Sequence, residues 1–243
     1  MPTKTTRRKP PRHPPPPDRP TLWGVSRYER PSPEKAADTQ RRRLLLGVTQ
    51  AVAKKGYART TVADILEEVR ISRRTFYEMF KDVEDCYLAA YEFAHRALIE
   101  AIRQSQRGID DAQVRAERAH RAFLEFNRQH PDAALAFLSG IMEAGPQAAE
   151  RRSRAIHEFA EMHQVLHRQL RRQYPQMPHV PKPAFLALTA GTNLVVIEHL
   201  RRRGPQQLMD LLPTILYLSY SIYGLPAQAR QALDGDSAAR RRR

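Results

Sequence analysis

Cysteine, tryptophan and glycine are scarce in this chain, with one, one and ten of them among 243 residues. Cys86 alone rules out an intramolecular disulfide framework, and a single thiol fits a reducing compartment. No apolar run reaches the ~20 residues needed to span a bilayer, so no membrane partner is expected. The N-terminus is basic but lacks the apolar core of a secretory signal, which makes the cytoplasm the default location. Sustained period-2 alternation is missing throughout, which argues against strands. Nothing has the form of a phosphate-binding glycine loop, a nucleophile elbow or a paired-carboxylate site. Catalysis is therefore not expected, and no cofactor is called for.

Positive charge is abundant. The formal charge is +15 and the pI about 10.5, values that favour polyanionic partners. Much of that charge lies at the ends. Residues 1–37 hold nine Lys or Arg against three Asp or Glu, and Arg240 to Arg243 add four more cations. Ten of the 19 prolines also fall in residues 1–37, including Pro14 to Pro17. Such a segment reads as an extended, disordered arm. Lys4, Arg7, Arg8, Lys9 and Arg12 could hold DNA phosphates, and Arg27 and Arg30 could reach a minor groove; a solubilising tail is the plainer alternative. Trp23 and Tyr28 are unusual in such an arm and are candidates to dock on the folded body. Arginine outnumbers lysine 34 to 7, which fits a GC-rich genome and warns against reading a function into every arginine.

From Asp38 onward apolar residues recur at spacings of three and four, the mark of an all-α chain. A first helix is expected from Asp38 to Lys55, with Leu44, Leu45, Val48, Ala51 and Val52 inward and Gly56 ending it. Asp82 and Asp85 cap a long helix running to Arg107. Further helices are expected over 110–129, 132–143, 147–173, 182–202 and 205–223, with breaks at Pro131, Gly145-Pro146, Pro175 to Pro183 and Gly204-Pro205. This gives four parts: the arm (1–37), a small DNA-binding domain (38–86), a larger helical domain (87–224) and a basic disordered tail (225–243).

Residues 60–85 carry the sharpest signal. Thr61 is an N-cap with Asp64 able to reach back, a capping box. Ile65, Leu66 and Val69 form one apolar face. Ser72, itself a candidate DNA contact, caps a second short helix that opens with Arg73, Arg74 and Thr75. Two helices joined by a tight turn form a helix-turn-helix, whose second helix offers its N-terminal side chains to a DNA major groove. Phe76 and Phe80, four apart, anchor that helix inward. Arginine can pair bidentately with guanine and the threonine methyl suits thymine, so Arg73, Arg74 and Thr75 should carry specificity. Thr61 and Lys81, beside helix N-termini, are phosphate candidates.

Gly56-Tyr57, Thr60-Thr61-Val62, Asp64-Ile65, Ile71-Ser72-Arg73, Thr75-Phe76-Tyr77, Phe80 and Asp82 together resemble the DNA-binding domain of tetracycline-repressor (TetR) family regulators. The resemblance spans residues 41–86 and implies a ligand-binding and dimerisation domain beyond it. It also implies a homodimer, a palindromic double-stranded operator, a small-molecule effector and, most often, repression. By the same resemblance Tyr77 meets a phosphate. Three positions depart from the family pattern. Arg70 replaces the usual turn glycine, at a steric cost of about 1–2 kcal/mol if its φ is positive, which a phosphate contact would offset. Val83 replaces a phosphate-binding lysine, a place Lys81 can take. Arg74 replaces a small residue, which implies an altered operator.

The larger domain is less explicit. Residues 184–200 are apolar nearly all round, and Ala187 and Gly191 would let another helix approach closely. Leu208, Leu211, Leu212, Ile215, Leu218 and Ile222 form a stripe. A four-helix interface between protomers, using Ala187, Gly191, Val195, Leu208, Leu212, Ile215 and Ile222, is the expected destination; an intradomain core is the alternative. An effector pocket is expected among Phe123, Phe126, Phe137, Met142, Phe159 and Met162. His163 and His167, four apart with His157 and Glu161 nearby, could hold a metal, but no strong third ligand accompanies them, their Glu- and Arg-rich flanks suggest an exposed face, and no metal site is expected. Two other functions stay open: an architectural, nucleoid-type DNA binder without effector, and a helical metal sensor or enzyme using these histidines.

Overall fold

The computed structural model describes residues 22–24 and 36–240, with side chains as far as residue 234. All the regular structure there is helical. Helix α1 (Ala36–Lys55) is followed by a 3-10 turn (Tyr57–Arg59), α2 (Val62–Val69), α3 (Arg73–Met79) and the long α4 (Val83–Ser105). Then come α5 (Ala112–Gln129), the short α6 (Pro131–Ala134), α7 (Gly145–Gln173), α8 (Lys182–Arg203), α9 (Leu212–Tyr223) and α10 (Pro226–Arg240).

Two apolar cores organise these helices. In the first, Leu44, Val48 and Val52 of α1 meet Ile65 and Val69 of α2, Phe76 of α3, and Cys86, Tyr87 and Ala90 of α4. In the second, Leu98 and Ile102 of α4 join Phe123 and Leu124 of α5, Leu166 and Leu170 of α7, Phe185 and Val196 of α8, and Ile215 and Tyr223 of α9. Two helices run through both. The N-terminal half of α4 belongs to the first core and its C-terminal half to the second; Ala148 and Ala155 of α7 lie in the first, Ala160 and Leu166 in the second.

The expected helix over 132–143 is broken in three. After α6 the chain widens into a π turn (Leu135–Ser139) and then tightens to a 3-10 turn (Gly140–Glu143). The cause lies in the first core. The buried Tyr87 hydroxyl donates to the Ala136 carbonyl at 2.7 Å, and Phe137 packs against Tyr87 and Tyr91 with ring centroids 5.6 and 5.8 Å away. Residues 205–211 likewise contain only a 3-10 turn (Leu208–Leu211) before α9 begins.

Residues 226–240, whose composition suggests a disordered tail, instead form α10. Gly224 adopts a left-handed φ of 79°, the Leu225 amide bonds back to Tyr220 O at 2.8 Å, and Pro226 opens α10. Leu225 and Ala229 are buried against the second core. A β-carbon on Gly224 would fall 2.3 Å from Pro178, so the reversal needs glycine on two counts. In the arm, Trp23 is buried against Phe93 at 4.9 Å, and its carbonyl accepts from Arg42 at 3.3 Å. Tyr28 and the arm's basic residues lie outside the described residues.

Helix α8 is long and apolar enough to cross a membrane by length and composition, but 44% of its apolar window is buried inside the protein. Packing against α7 and α9 accounts for that side.

The α1–α2 crossing is tight enough to test. A β-carbon on Gly47 would lie 2.8 Å from the Ile65 carbonyl oxygen and 3.1 Å from Val69 Cγ1. Backbone cannot move aside as a side-chain tip can. We expect Gly47→Ala to lower unfolding free energy by about 1–3 kcal/mol in urea melts, although alanine is the better helix former.

Candidate nucleic-acid interface and interior cavity

The helix-turn-helix is built from reciprocal caps. Thr61 accepts from the Asp64 amide, and Asp64 accepts from the Thr61 amide at 2.7 Å and hydroxyl at 2.6 Å. Lys55 reaches Asp64 at 2.6 Å. The Lys55 ammonium and the two Thr61 bonds hold the Asp64 carboxyl down at about 2. Ser72 caps α3, accepting from the Thr75 amide at 3.1 Å, and its hydroxyl lies 2.9 Å from that of Thr75. Asp82 caps α4 through the Asp85 amide at 2.8 Å.

Between α2 and α3 the chain turns at Arg70, whose φ of 53° and ψ of 46° are left-handed. It is the one non-glycine residue with positive φ among those described. The steric cost anticipated for replacing glycine at this turn is therefore present in the backbone.

Phe76 and Phe80 are buried in the first core, and the Arg41 guanidinium covers the Phe80 ring at 4.4 Å. With those rings pinned inward, α3 turns Ser72, Arg73, Arg74, Tyr77 and Glu78 outward, with Thr75 half-buried beside the cap. Arg74 projects almost fully into solvent and pairs with Glu78 at 2.9 Å. Tyr77 stands edge-on to Phe76 at 5.3 Å with half its surface exposed. Thr61, Arg70 and Lys81 flank this face and are exposed, so all eight candidate DNA contacts lie at its surface or edge. Val83, at the usual lysine position, is half-buried and packs against the first core.

In the larger domain a cavity of about 420 Å³ opens between α4, α5, α7 and α8. Phe123, Phe159 and Met162 line it. Phe126 and Phe137 instead line a smaller space of about 60 Å³, which Phe159 also borders. Met142 lies outside both. It is 65% exposed on the 3-10 turn. The polar wall of the larger cavity includes Arg103, Arg115, His120 and His163. His120 joins Ala116 O at 2.6 Å and Ser219 Oγ at 2.8 Å, and His163 joins Tyr223 Oη at 2.6 Å. His163 is thus turned to a protein partner, while His167 packs against the Phe185 and Tyr223 rings, its buried Nε2 without a hydrogen bond. Among the described residues no group of three potential ligands could hold a metal ion. The arginine- and glutamate-rich sequence around His163 suggested a solvated face; the contacts from α5 and α9 that enclose it come from 43 and 60 residues away.

Of the residues expected between protomers, Leu208, Leu212 and Ile215 are buried inside the protomer's own core. Ala187 is exposed, while Gly191, Val195 and Ile222 are half-buried. The outward stripe consists of Ala187, Ala190, Gly191 and Leu194 on α8 with Thr214, Tyr217 and Ser221 on α9. Leu194 and Tyr217 are 59% and 38% exposed, large values for apolar side chains on adjacent packed helices. A β-carbon on Gly191 would meet nothing within 4 Å, so another backbone could approach there.

Residues 49–90 match the family model described as bacterial regulatory proteins, tetR family. Solved structures share the fold. The fatty acid degradation regulator FadR from Bacillus halodurans is 12% identical with a TM-score of 0.66, over 80% of this chain and 97% of its own. FadR from Bacillus subtilis, solved in complex with stearoyl-CoA, is 11% identical with a TM-score of 0.62, over 75% and 97%. A TetR family regulator from Marinobacter aquaeolei is 18% identical with a TM-score of 0.57, over 78% and 97%. No curated protein matches the chain by sequence.

The enclosed histidines set a pH dependence. Burial, reinforced by His120, holds His163 down to about 3; burial also lowers His120, His130, His167 and His199. Unfolded histidine titrates near 6.5. Below that pH the unfolded chain binds protons that the folded chain does not, so stability present above about 6.5 is lost as pH falls toward 3. Thermal melts at pH 5 should give a lower Tm than at pH 7, and His163→Gln should reduce the difference.

Proposed function

We propose that this chain, whose DNA-binding domain is of the TetR family, is a cytoplasmic homodimeric repressor that a small-molecule effector releases from a palindromic operator. The observation that carries this reading is the placement of α4. Its C-terminal turn supplies Ile102, Arg103 and Gln106 to the cavity wall, while Cys86, Tyr87 and Ala90 at its other end are buried with α1, α2 and α3. A molecule entering the cavity presses on the same rigid element that seats the recognition helix. In a dimer joined through α8 and α9, tilting α4 changes the separation of the two α3 helices, and two half-sites at fixed spacing are then no longer matched. The stearoyl-CoA bound to the Bacillus subtilis regulator is a precedent for an effector with a large apolar part.

On the operator, Arg73, Arg74 and Thr75 read base edges, while Thr61, Arg70, Tyr77 and Lys81 hold phosphates. Arg74 must exchange its bond with Glu78 for one to DNA, so its contribution is the net of two interactions. Selection of bound sequences from a random pool should return an inverted repeat. Arg74→Ala should then cost about 1–3 kcal/mol on that repeat and relax preference at one position per half-site, read by mobility shift. Uniform weakening on every sequence would assign Arg74 to the phosphates instead.

Leu194→Asp on the outward face of α8 should convert the dimer to monomer in sedimentation velocity and abolish cooperative occupation of both half-sites. An unchanged mass would exclude this face.

A further inference from the structure

The cavity is elongated along α7. Its lining runs from Glu158 to Gln169 on that helix, about 16 Å at 1.5 Å per residue, against shorter windows on the other three helices. The walls are mainly apolar, formed by Ile102, Phe123, Phe159, Met162 and Leu166. Inside this lining, hydrogen-bond geometry fixes one donor. Tyr223 is fully buried, and its hydroxyl has one partner, Nδ1 of His163 at 2.6 Å. A buried phenol must place its proton on an acceptor, so Tyr223 donates and Nδ1 accepts. The other nitrogen of a neutral His163, Nε2, therefore carries the hydrogen. It makes no hydrogen bond to any described residue, and His163 lines the cavity.

The same reasoning fixes His120. Its Nδ1 lies 2.6 Å from the Ala116 carbonyl, which only accepts, so Nδ1 donates there and Nε2 receives the Ser219 hydroxyl at 2.8 Å. His120 is thereby saturated and His163 is not. At another part of the lining, Arg115 has no carboxylate partner among the described residues, and its Nε is buried without a hydrogen bond. Two carboxylates also border the cavity. Glu158 is bound to His95 at 2.7 Å with Arg103 at 3.8 Å, and Glu161 is exposed.

We propose that the effector is an elongated apolar molecule bearing a carbonyl or carboxylate oxygen that accepts the Nε2 hydrogen of His163. The proposal rests on the cavity being the effector site. A cationic head would meet hydrogen-bond donors at both His163 and Arg115, and would have to find its acceptors at Gln169 Oε1, Glu158 or Glu161. A carboxylate form would gain further from Arg115, whereas an ester or thioester would use His163 alone. The contact also reaches α9, since His163 is bonded to Tyr223 and His120 to Ser219 on that helix.

Four probes of equal chain length separate the possibilities on the full-length protein: methyl dodecanoate, dodecanoate, dodecane and dodecylammonium, titrated by calorimetry. Methyl dodecanoate should bind about 3–10-fold more tightly than dodecane, the worth of one net hydrogen bond. His163→Leu should erase that ratio, and His163→Gln, which keeps an N–H donor, should restore part of it. Arg115→Met should weaken dodecanoate but not its methyl ester. Equal binding of ester and alkane, an unchanged ratio in His163→Leu, or tightest binding of dodecylammonium overturns the proposal while leaving the cavity as effector site. Failure of all four probes to bind overturns both.

Discussion

Helix α4 is buried at both ends in different cores, and the rest of the molecule is arranged around that constraint. Its first turns lie in the core shared with α1, α2 and α3, and its last turns in the core shared with α5, α7, α8 and α9. Interiors packed at crystal-like density do not absorb a displacement locally; they pass it along the stiffest element available. A helix held at both ends is such an element. Helix α7 repeats the arrangement, and within the first core the Tyr87 hydroxyl of α4 binds the Ala136 carbonyl. The small domain is consequently an extension of the large one, not a bead on a linker. On the function proposed above, this continuity is what would carry a change at the cavity to the α3 surface.

How much of this was legible depended on how local each signal is. The caps at Thr61, Ser72 and Asp82 are short-range hydrogen bonds between residues three apart, and all three form as the spacing implied. Arg70 was likewise marked in advance, because the family that residues 41–86 resemble usually has glycine at that turn, and its φ is indeed left-handed. The π turn was not legible. It exists because a tyrosine 49 residues upstream claims a carbonyl. Helix α10 was missed because its composition reads as tail, whereas its stability comes from Leu225 and Ala229 reaching an existing core. The cavity histidines were misplaced for a related reason: charged neighbours on the outer face of α7 concealed the inner one.

The α8–α9 pair shows how hydrophobicity can mislead about partners. The conspicuous leucine and isoleucine stripe of 208–215 turned inward, where apolar mass is needed most, and left small residues outside. Ala187, Ala190 and Gly191 have little to bury individually, but they permit backbones to come close. Leu194 and Tyr217 then supply the apolar bulk on that same outward face. A stripe of large residues in such a helix is thus accounted for by the protomer's own core.

The docking of Trp23 has an optical corollary. The chain has one tryptophan, and it is held beside Phe93 on α4 with the Arg42 guanidinium bonded to its carbonyl. Every photon of indole emission from this protein therefore originates at the junction of α1 and α4. The indole is fully enclosed, so its spectrum is set by packing and by one nearby cation, with little contribution from solvent. The molecule carries an intrinsic, label-free gauge of strain at the helix that joins its two cores.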